Sequence, residues 1–287
     1  MSIAVERVRS DDLKRRTRRR RLVRGSLLAL CLAYVAALLM LPLIGITWTA
    51  LEPGLSVVTQ TFSLVDVRHA FYLTVIITVI TVVVTTFFGV IVAWVLVRQR
   101  FLGRGLLNAL VDTPFALSPV TVGLACVLLF GRGGWFEPFF AARGIAIIFA
   151  LPSMVLVTIF ISIPFVIREV QPVLEEIGTE EEDAARTLGA SVVQSFLRVT
   201  LPNIRWGLLY GIALSTARAM GEIGAVFLVT GMVQGKTETA TLYIFRAMEE
   251  RQTASAYVVA LTLAAVSVVI LVAIEWFKRK RVREDAE

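Results

Sequence analysis

Long apolar runs separated by short charged connections organise this chain. Six stretches, 26–48, 71–97, 106–130, 145–167, 204–230 and 254–277, each hold about 20 or more mostly apolar residues. A helix rising about 1.5 Å per residue needs roughly that length to cross a hydrocarbon layer about 30 Å thick. Each run can satisfy its own backbone hydrogen bonds as a helix, which lipid requires. The pattern predicts an all-α membrane protein with six transmembrane helices.

Charge placement orients them. The first 25 residues carry ten arginines and lysines, from Arg7 to Arg24, and the tail carries Lys278, Arg279, Lys280, Arg281 and Arg283. With the N-terminus inside, Arg98, Arg100 and Arg104 also fall inside, as do Arg168, Arg186, Arg198 and Arg205. The inner side then holds 22 of the 29 basic residues, and the outer side keeps Arg68, Arg132, Arg143, Lys236, Arg246 and Arg251. Cytoplasmic segments carry such an excess, so both termini are expected in the cytoplasm. The five tryptophans fall near the ends of the predicted spans, where an aromatic belt sits. The first apolar run is too long for a signal peptide and lacks a small-residue cleavage pattern, so it reads as an uncleaved helix.

Composition agrees and narrows the chemistry. Hydrophobic residues make up 57% of the 287 positions, above the roughly 45–50% of soluble domains. The net charge of +7 gathers beside apolar runs, which argues for membrane topology and against a nucleic-acid surface. A single histidine, His69, and two cysteines inside apolar segments, Cys31 and Cys126, offer neither a serine-histidine-acid triad nor a metal site with close ligand spacing. Gly231 to Thr237 has three residues between its glycines where a phosphate-binding loop needs four, and it follows a membrane helix. No ATP site is expected in this chain.

The long connection 171–203 is built as a folded device. Thr179 and Glu182 have the spacing of a capping box, and the acidic run Glu180 to Asp183 suits the positive end of a helix dipole. Gly189 is expected to end that helix in a left-handed conformation. Ser191 and Gln194 form a second capping box, and Pro202 is expected to end the helix it starts.

The same connection carries a family resemblance. Asp183-Ala184-Ala185, three residues, Gly189, nine residues and Val199-Thr200-Leu201-Pro202 resemble the EAA signature of ATP-binding-cassette importer permeases, with Asp183 where that pattern has glutamate. Segments 112–120, 165–174, 201–211 and 217–225 extend the resemblance, over roughly residues 70–277, to the W-type permeases of sulfate and thiosulfate importers. It implies the type I importer permease fold, with a transmembrane domain at 70–277, a basic cytoplasmic segment at 1–25, a first helix at 26–48 and a cytoplasmic tail at 278–287. It also implies that Thr179, Glu182, Asp183, Ala184, Ala185, Gly189, Leu201 and Pro202 belong to an ATPase-coupling loop. The implied partners are a T-type permease, two copies of an ATPase subunit that bind ATP and magnesium, and an external sulfate-binding protein, in a bacterial inner membrane. Catalysis is not expected of this chain alone. Molybdate or another oxyanion is the alternative substrate, and an ion-coupled carrier the alternative class.

Charges inside the membrane supply the remaining candidates. Arg218 and Glu222 lie four residues apart in the fifth run, so they can pair on one helix face, either as a structural lock or as part of a gate or anion path. Asp112, beside Pro114 and Pro119, is a further pathway candidate. Thr158, Ser162, Ser215 and Thr216 read as helix-packing hydroxyls. The segment from Gly207 to Gly211 fits a close small-residue helix contact.

Overall fold

The computed structural model describes the backbone of residues 2–284 and the side chains of 25–273, Glu275 and Trp276. The basic side chains at positions 7–24 and 278–283, on which much of the orientation rests, lie outside the described side chains. Every regular element among the described residues is a helix. They are α1 Ser2–Leu51, α2 Ser56–Ser63, α3 Val65–Arg98, α4 Arg104–Ala116, α5 Pro119–Phe130, α6 Glu137–Ala141, α7 Leu151–Ile177, α8 Glu180–Thr187, α9 Val192–Ser195, a π turn Phe196–Thr200, α10 Leu201–Met220, α11 Gly224–Thr230, α12 Ala240–Glu249 and α13 Thr253–Glu284.

Among the described residues, four helical segments, Gly25–Leu51, Val65–Arg98, Leu151–Ile177 and Thr253–Ala273, are long and apolar enough to cross a membrane. The other two predicted spans are not single helices. The third is α4 and α5, bent by 111°, and the fifth is α10 with its lead-in and α11, bent by 52°. The count reaches six if each bent pair is one span. Proline explains the first break. Pro119 has no N–H to donate, and the residue before a proline is pushed out of the α region. Leu117 and Ser118 are accordingly extended, with ψ of 139° and 138°. The fourth span starts at Leu151, not 145, because Phe149 turns the chain at φ 61° and Ala150 is extended.

The centre of the molecule is a three-helix unit. Leu73 and Ile77 of α3 share a core cluster with Met154 and Val157 of α7, and further along Val90 and Leu96 share another with Val166 and Val170. These two helices therefore run side by side in one direction. Helix α10 packs against both in the opposite sense. A Cβ at Gly207 would lie 2.8 Å from Val173 Cγ2, and one at Gly211 would lie 3.0 Å from Val166 Cα, so the glycines permit the close approach expected of them. Replacing Gly207 with valine is expected to destabilise the packed unit by about 1–3 kcal/mol through overpacking. A thermal melt of the detergent-solubilised protein reads the effect, and an unchanged midpoint would contradict this packing.

Hydroxyls line the interior of the unit. Thr74, Thr78, Thr81 and Thr85 recur at three- and four-residue spacing on α3 and are all buried. Thr85 and Ser215 are 3.1 Å apart and join α3 to α10. The Thr74 hydroxyl accepts from the Ala240 N–H, which ties in α12. Thr158 donates to Met154 O and Thr216 to Ile212 O, each one turn back in its own helix, so these bonds join no two helices. By contrast α1 exposes Leu30, Leu32, Leu38 and Leu41, a surface suited to lipid or to another apolar partner.

Candidate functional site

Two regions bring the candidate residues together. The first is the folded loop after α7. That helix ends at Gly178, whose φ of 70° turns the chain into α8. Acidic residues fill the first turn of α8 as expected, but the expected Thr179–Glu182 capping box is absent. Thr179 already has near-helical dihedrals of −111° and −5°, with its hydroxyl not engaged in capping. Glu182 points inward instead and is 4% exposed. A stronger partner claims it, because a guanidinium outcompetes a neutral backbone N–H for a carboxylate.

Gly189 behaves as expected. Its φ is 89°, its N–H donates to Arg186 O and the Ala190 N–H donates to Ala185 O. This is the paired closure of a Schellman motif, which satisfies the last carbonyls of α8. The Ser191 box also forms, with Gln194 N–H donating to Ser191 Oγ at 3.2 Å and Ser191 N–H donating to Gln194 Oε1 at 2.9 Å. Pro202 does not end the helix begun there. The chain widens into the π turn, where Leu201 N–H donates to Phe196 O, and continues as α10. The wider turn makes room for the proline ring that a regular helix would exclude.

The loop presents an apolar crest with acidic flanks. Leu188 is 89% exposed, Val193 65%, and Val192 and Leu197 54% each, on the short elements between α7 and α10 rather than on a long apolar helix. Asp183 is exposed and pairs with Arg186 at 3.6 Å, Ala184 is exposed, and Ala185 is half-buried. Leu201 packs against the core around Val170 and Ile204, while Pro202 is exposed beside it.

Beneath the crest lies a residue that the sequence reading counted only as a topological charge. Arg98 ends α3, and its Nε donates to both Glu182 oxygens at 3.2 Å. Its Nη1 donates to Leu174 O at 2.9 Å and its Nη2 to Gly178 O at 2.6 Å. Glu182 Oε1 also accepts from the Thr200 hydroxyl at 2.9 Å. The available sequence signal was an arginine closing a long apolar helix, but its partners lie 76 to 84 residues away.

The second region is the junction of the two broken helices. Arg218 and Glu222 do pair, at 2.8 Å, with side chains 30% and 1% exposed. They do not share a helix face, because α10 stops at Met220 and Glu222 sits in the break. Glu222 Oε1 accepts from Ala225 N–H at 2.8 Å, and its carbonyl accepts from the Thr241 hydroxyl. The carboxylate therefore links the end of α10 to the start of α11. The two breaks also abut, since a Cβ at Gly224 would lie 3.0 Å from Pro119 Cβ and one at Gly123 would lie 2.7 Å from Ala225 O. Discontinuous membrane helices meeting in this way are a recurrent setting for transport sites.

Asp112 is not brought to this junction. It stands on α4 and takes Arg168 of α7, with Nε donating to Oδ1 at 2.8 Å, while Arg168 Nη1 donates to Asn108 and Gln171 side chains. Its role as a pathway candidate is thereby separated from that of Arg218 and Glu222. The loop from Gly231 to Thr237 closes on itself, with the Thr237 hydroxyl donating to Thr230 O and accepting from Val233 N–H. Beyond it, Arg246 Nε and Nη2 grip both oxygens of buried Glu238, at 2.7 and 3.1 Å. Hydrogen bonding to Glu238 raises the pKa of that guanidinium above its ordinary value.

Residues 85–283 match the family described as binding-protein-dependent transport system inner membrane component. The chain is 48% identical over 250 residues to the sulfate transport system permease protein CysW of Synechocystis sp., covering 87% of this chain and 91% of that protein. It is 43% identical over 240 residues to the CysW protein of Escherichia coli K12, covering 82% and 81%. It is 37% identical over 257 residues to the sulfate transport system permease protein CysT of Salmonella typhimurium, covering 89% and 93%. Among solved structures, a bacterial ABC transporter involved in the import of alginate superposes with a TM-score of 0.76 at 17% identity, over 91% of this chain and 96% of that one. At that identity the likeness is one of fold.

Proposed function

We propose, since this chain belongs to the family of binding-protein-dependent transport system inner membrane components, that it is the membrane-spanning permease subunit of an ATP-driven importer that carries sulfate, with thiosulfate as a related cargo, into the cytoplasm. The observation that carries the ATP-driven class is the folded loop, whose exposed Leu188, Val192 and Val193 form a crest that a subunit working alone has no reason to keep out of its core. The choice of sulfate rests on the naming of relatives 37–48% identical to it as sulfate permeases.

In this reading each bent pair counts as one span, giving six, with both termini and the loop crest on the cytoplasmic side of a bacterial inner membrane. The chain pairs with a T-type permease and with two ATPase subunits, and an external binding protein delivers the anion. ATP and magnesium act on the ATPase, and this chain contributes no catalytic group. Sulfate is a dianion whose transfer into a low-dielectric interior is prohibitive without compensation. Its path is therefore a polar cavity opened to one side at a time. Closure of the ATPases pushes the loop, the motion passes into α3, α7 and α10, and the junction of broken helices containing Arg218 and Glu222 opens or closes that cavity.

Uptake of radiolabelled sulfate into proteoliposomes that hold this chain, its partners and enclosed ATP tests the proposal. The expected result is uptake that requires ATP and resists excess molybdate. Uptake driven by an ion gradient without ATP would replace the class with an ion-coupled carrier. Strong competition by molybdate would reassign the substrate.

A further inference from the structure

Four chain segments converge on a single buried ion pair. Arg98 brings the end of α3, and its hydrogen bonds to Leu174 O and Gly178 O hold the end of α7. Glu182 brings α8, and the Thr200 hydroxyl on Glu182 Oε1 brings the π turn that leads into α10. The two side chains are only 7% and 5% exposed. Glu182 is also the buried residue of α8, whose other side chains face outward or lie half-covered.

The choice of charges over apolar packing has a mechanical meaning. Apolar burial is non-directional, whereas separating a buried ion pair leaves both charges without water or a partner. The planar guanidinium also fixes direction, because its donors are committed to acceptors on two different helices at once. The carbonyls it holds form the negative end of the α7 dipole, so the cation suits that place for a second reason. Helix α8 is thus bound to α3 and α7 stiffly while the crest that follows it, with Leu188, Val192, Val193 and Leu197, stays exposed.

We propose that Arg98 and Glu182, with Thr200, form a positioning clasp that makes α8 move as one body with the ends of α3, α7 and α10, so that a push on the crest reaches all three helices of the central unit together. This rests on the reading of the loop as the contact for an ATPase. Neither residue touches substrate or nucleotide in this assignment; both act through the helices they join.

The test uses the assembled complex in proteoliposomes, with Arg98→Lys, Glu182→Gln and Thr200→Val compared with the unaltered chain. Co-purification reads assembly, phosphate release reads ATP hydrolysis, and labelled sulfate reads uptake. Arg98→Lys keeps the charge and loses the fork, and is expected to lower sulfate moved per ATP hydrolysed at least tenfold while the ATPase stays bound. Glu182→Gln is expected to act in the same direction, and Thr200→Val, which removes one peripheral bond, to lower the ratio about threefold. Exchanging the two residues is not expected to restore coupling, because a carboxylate at position 98 would face the Leu174 and Gly178 carbonyls. A purely structural role would lower the yield or thermal stability of the complex and leave the ratio in the assembled fraction unchanged, which would overturn the clasp. If Arg98→Lys does not assemble, an unaltered ratio in Thr200→Val overturns it as well. Absence of ATP-dependent uptake with the unaltered chain would instead remove the ATP-driven reading, and the clasp with it.

Discussion

Replacing Glu222 with alanine is expected to abolish sulfate uptake and to lower the amount of folded protein recovered from the membrane. The substitution leaves Arg218 without its partner at 2.8 Å, inside a predicted span, and leaves the Ala225 N–H without an acceptor. Breaking a buried pair by removing one partner costs about 3–5 kcal/mol, and the 30% exposure of Arg218 lowers the expectation below that range, to about 2–3 kcal/mol. Glu222→Gln retains an oxygen for Ala225 but not the charge, so its folding defect should be smaller. The informative variant is the neutral pair Arg218→Met with Glu222→Gln, because removing both charges of a buried pair is often neutral. If the pair serves the gate or the anion path, the double variant regains stability in a thermal melt but not uptake. Recovery of both assigns the pair to folding alone.

Gly189→Val is expected to uncouple transport while leaving insertion and ATPase association intact. No atom lies within 4 Å of a Cβ built at Gly189, so a steric clash does not cause the effect. The backbone does. A φ of 89° is unfavourable for an L-residue by about 1–2 kcal/mol, and most so for a β-branched one. An energy of about 1.4 kcal/mol changes an equilibrium tenfold, enough to depopulate the turn that aims α8 relative to α9 and the π turn. Gly189→Asn is the control, because asparagine enters this conformation more readily, and it should retain most uptake. Unchanged uptake by the valine variant with normal ATPase association would refute a lever role for the loop.

The features that the sequence made legible are those governed by neighbours along the chain. The Ser191 box and the Gly189 closure formed as expected because each joins groups within five residues, where spacing nearly determines geometry. The Thr179 box had equally good spacing and failed, since Glu182 found Arg98, 84 residues away in sequence. Pro202 gave a correct signal of strain and a wrong expectation of an end, because a helix can also absorb a proline by widening into a π turn. The proline run after Asp112 signalled a disturbed span, but neither the 111° bend nor the seating of α5 against α11 at Gly123.

The sequence by itself determined the all-helical plan, the approximate positions of the apolar runs and the local caps. Burying apolar length and closing neighbouring hydrogen bonds are short-range demands, and composition and spacing express them directly. Only the tertiary structure decided which charges pair. It gave Glu182 to Arg98, Asp112 to Arg168, and Glu222 to the bend between two half-helices instead of one helix face. Away from water a charge takes the closest partner that also satisfies its remaining hydrogen-bonding groups, and packing brings that partner near from a distant part of the chain.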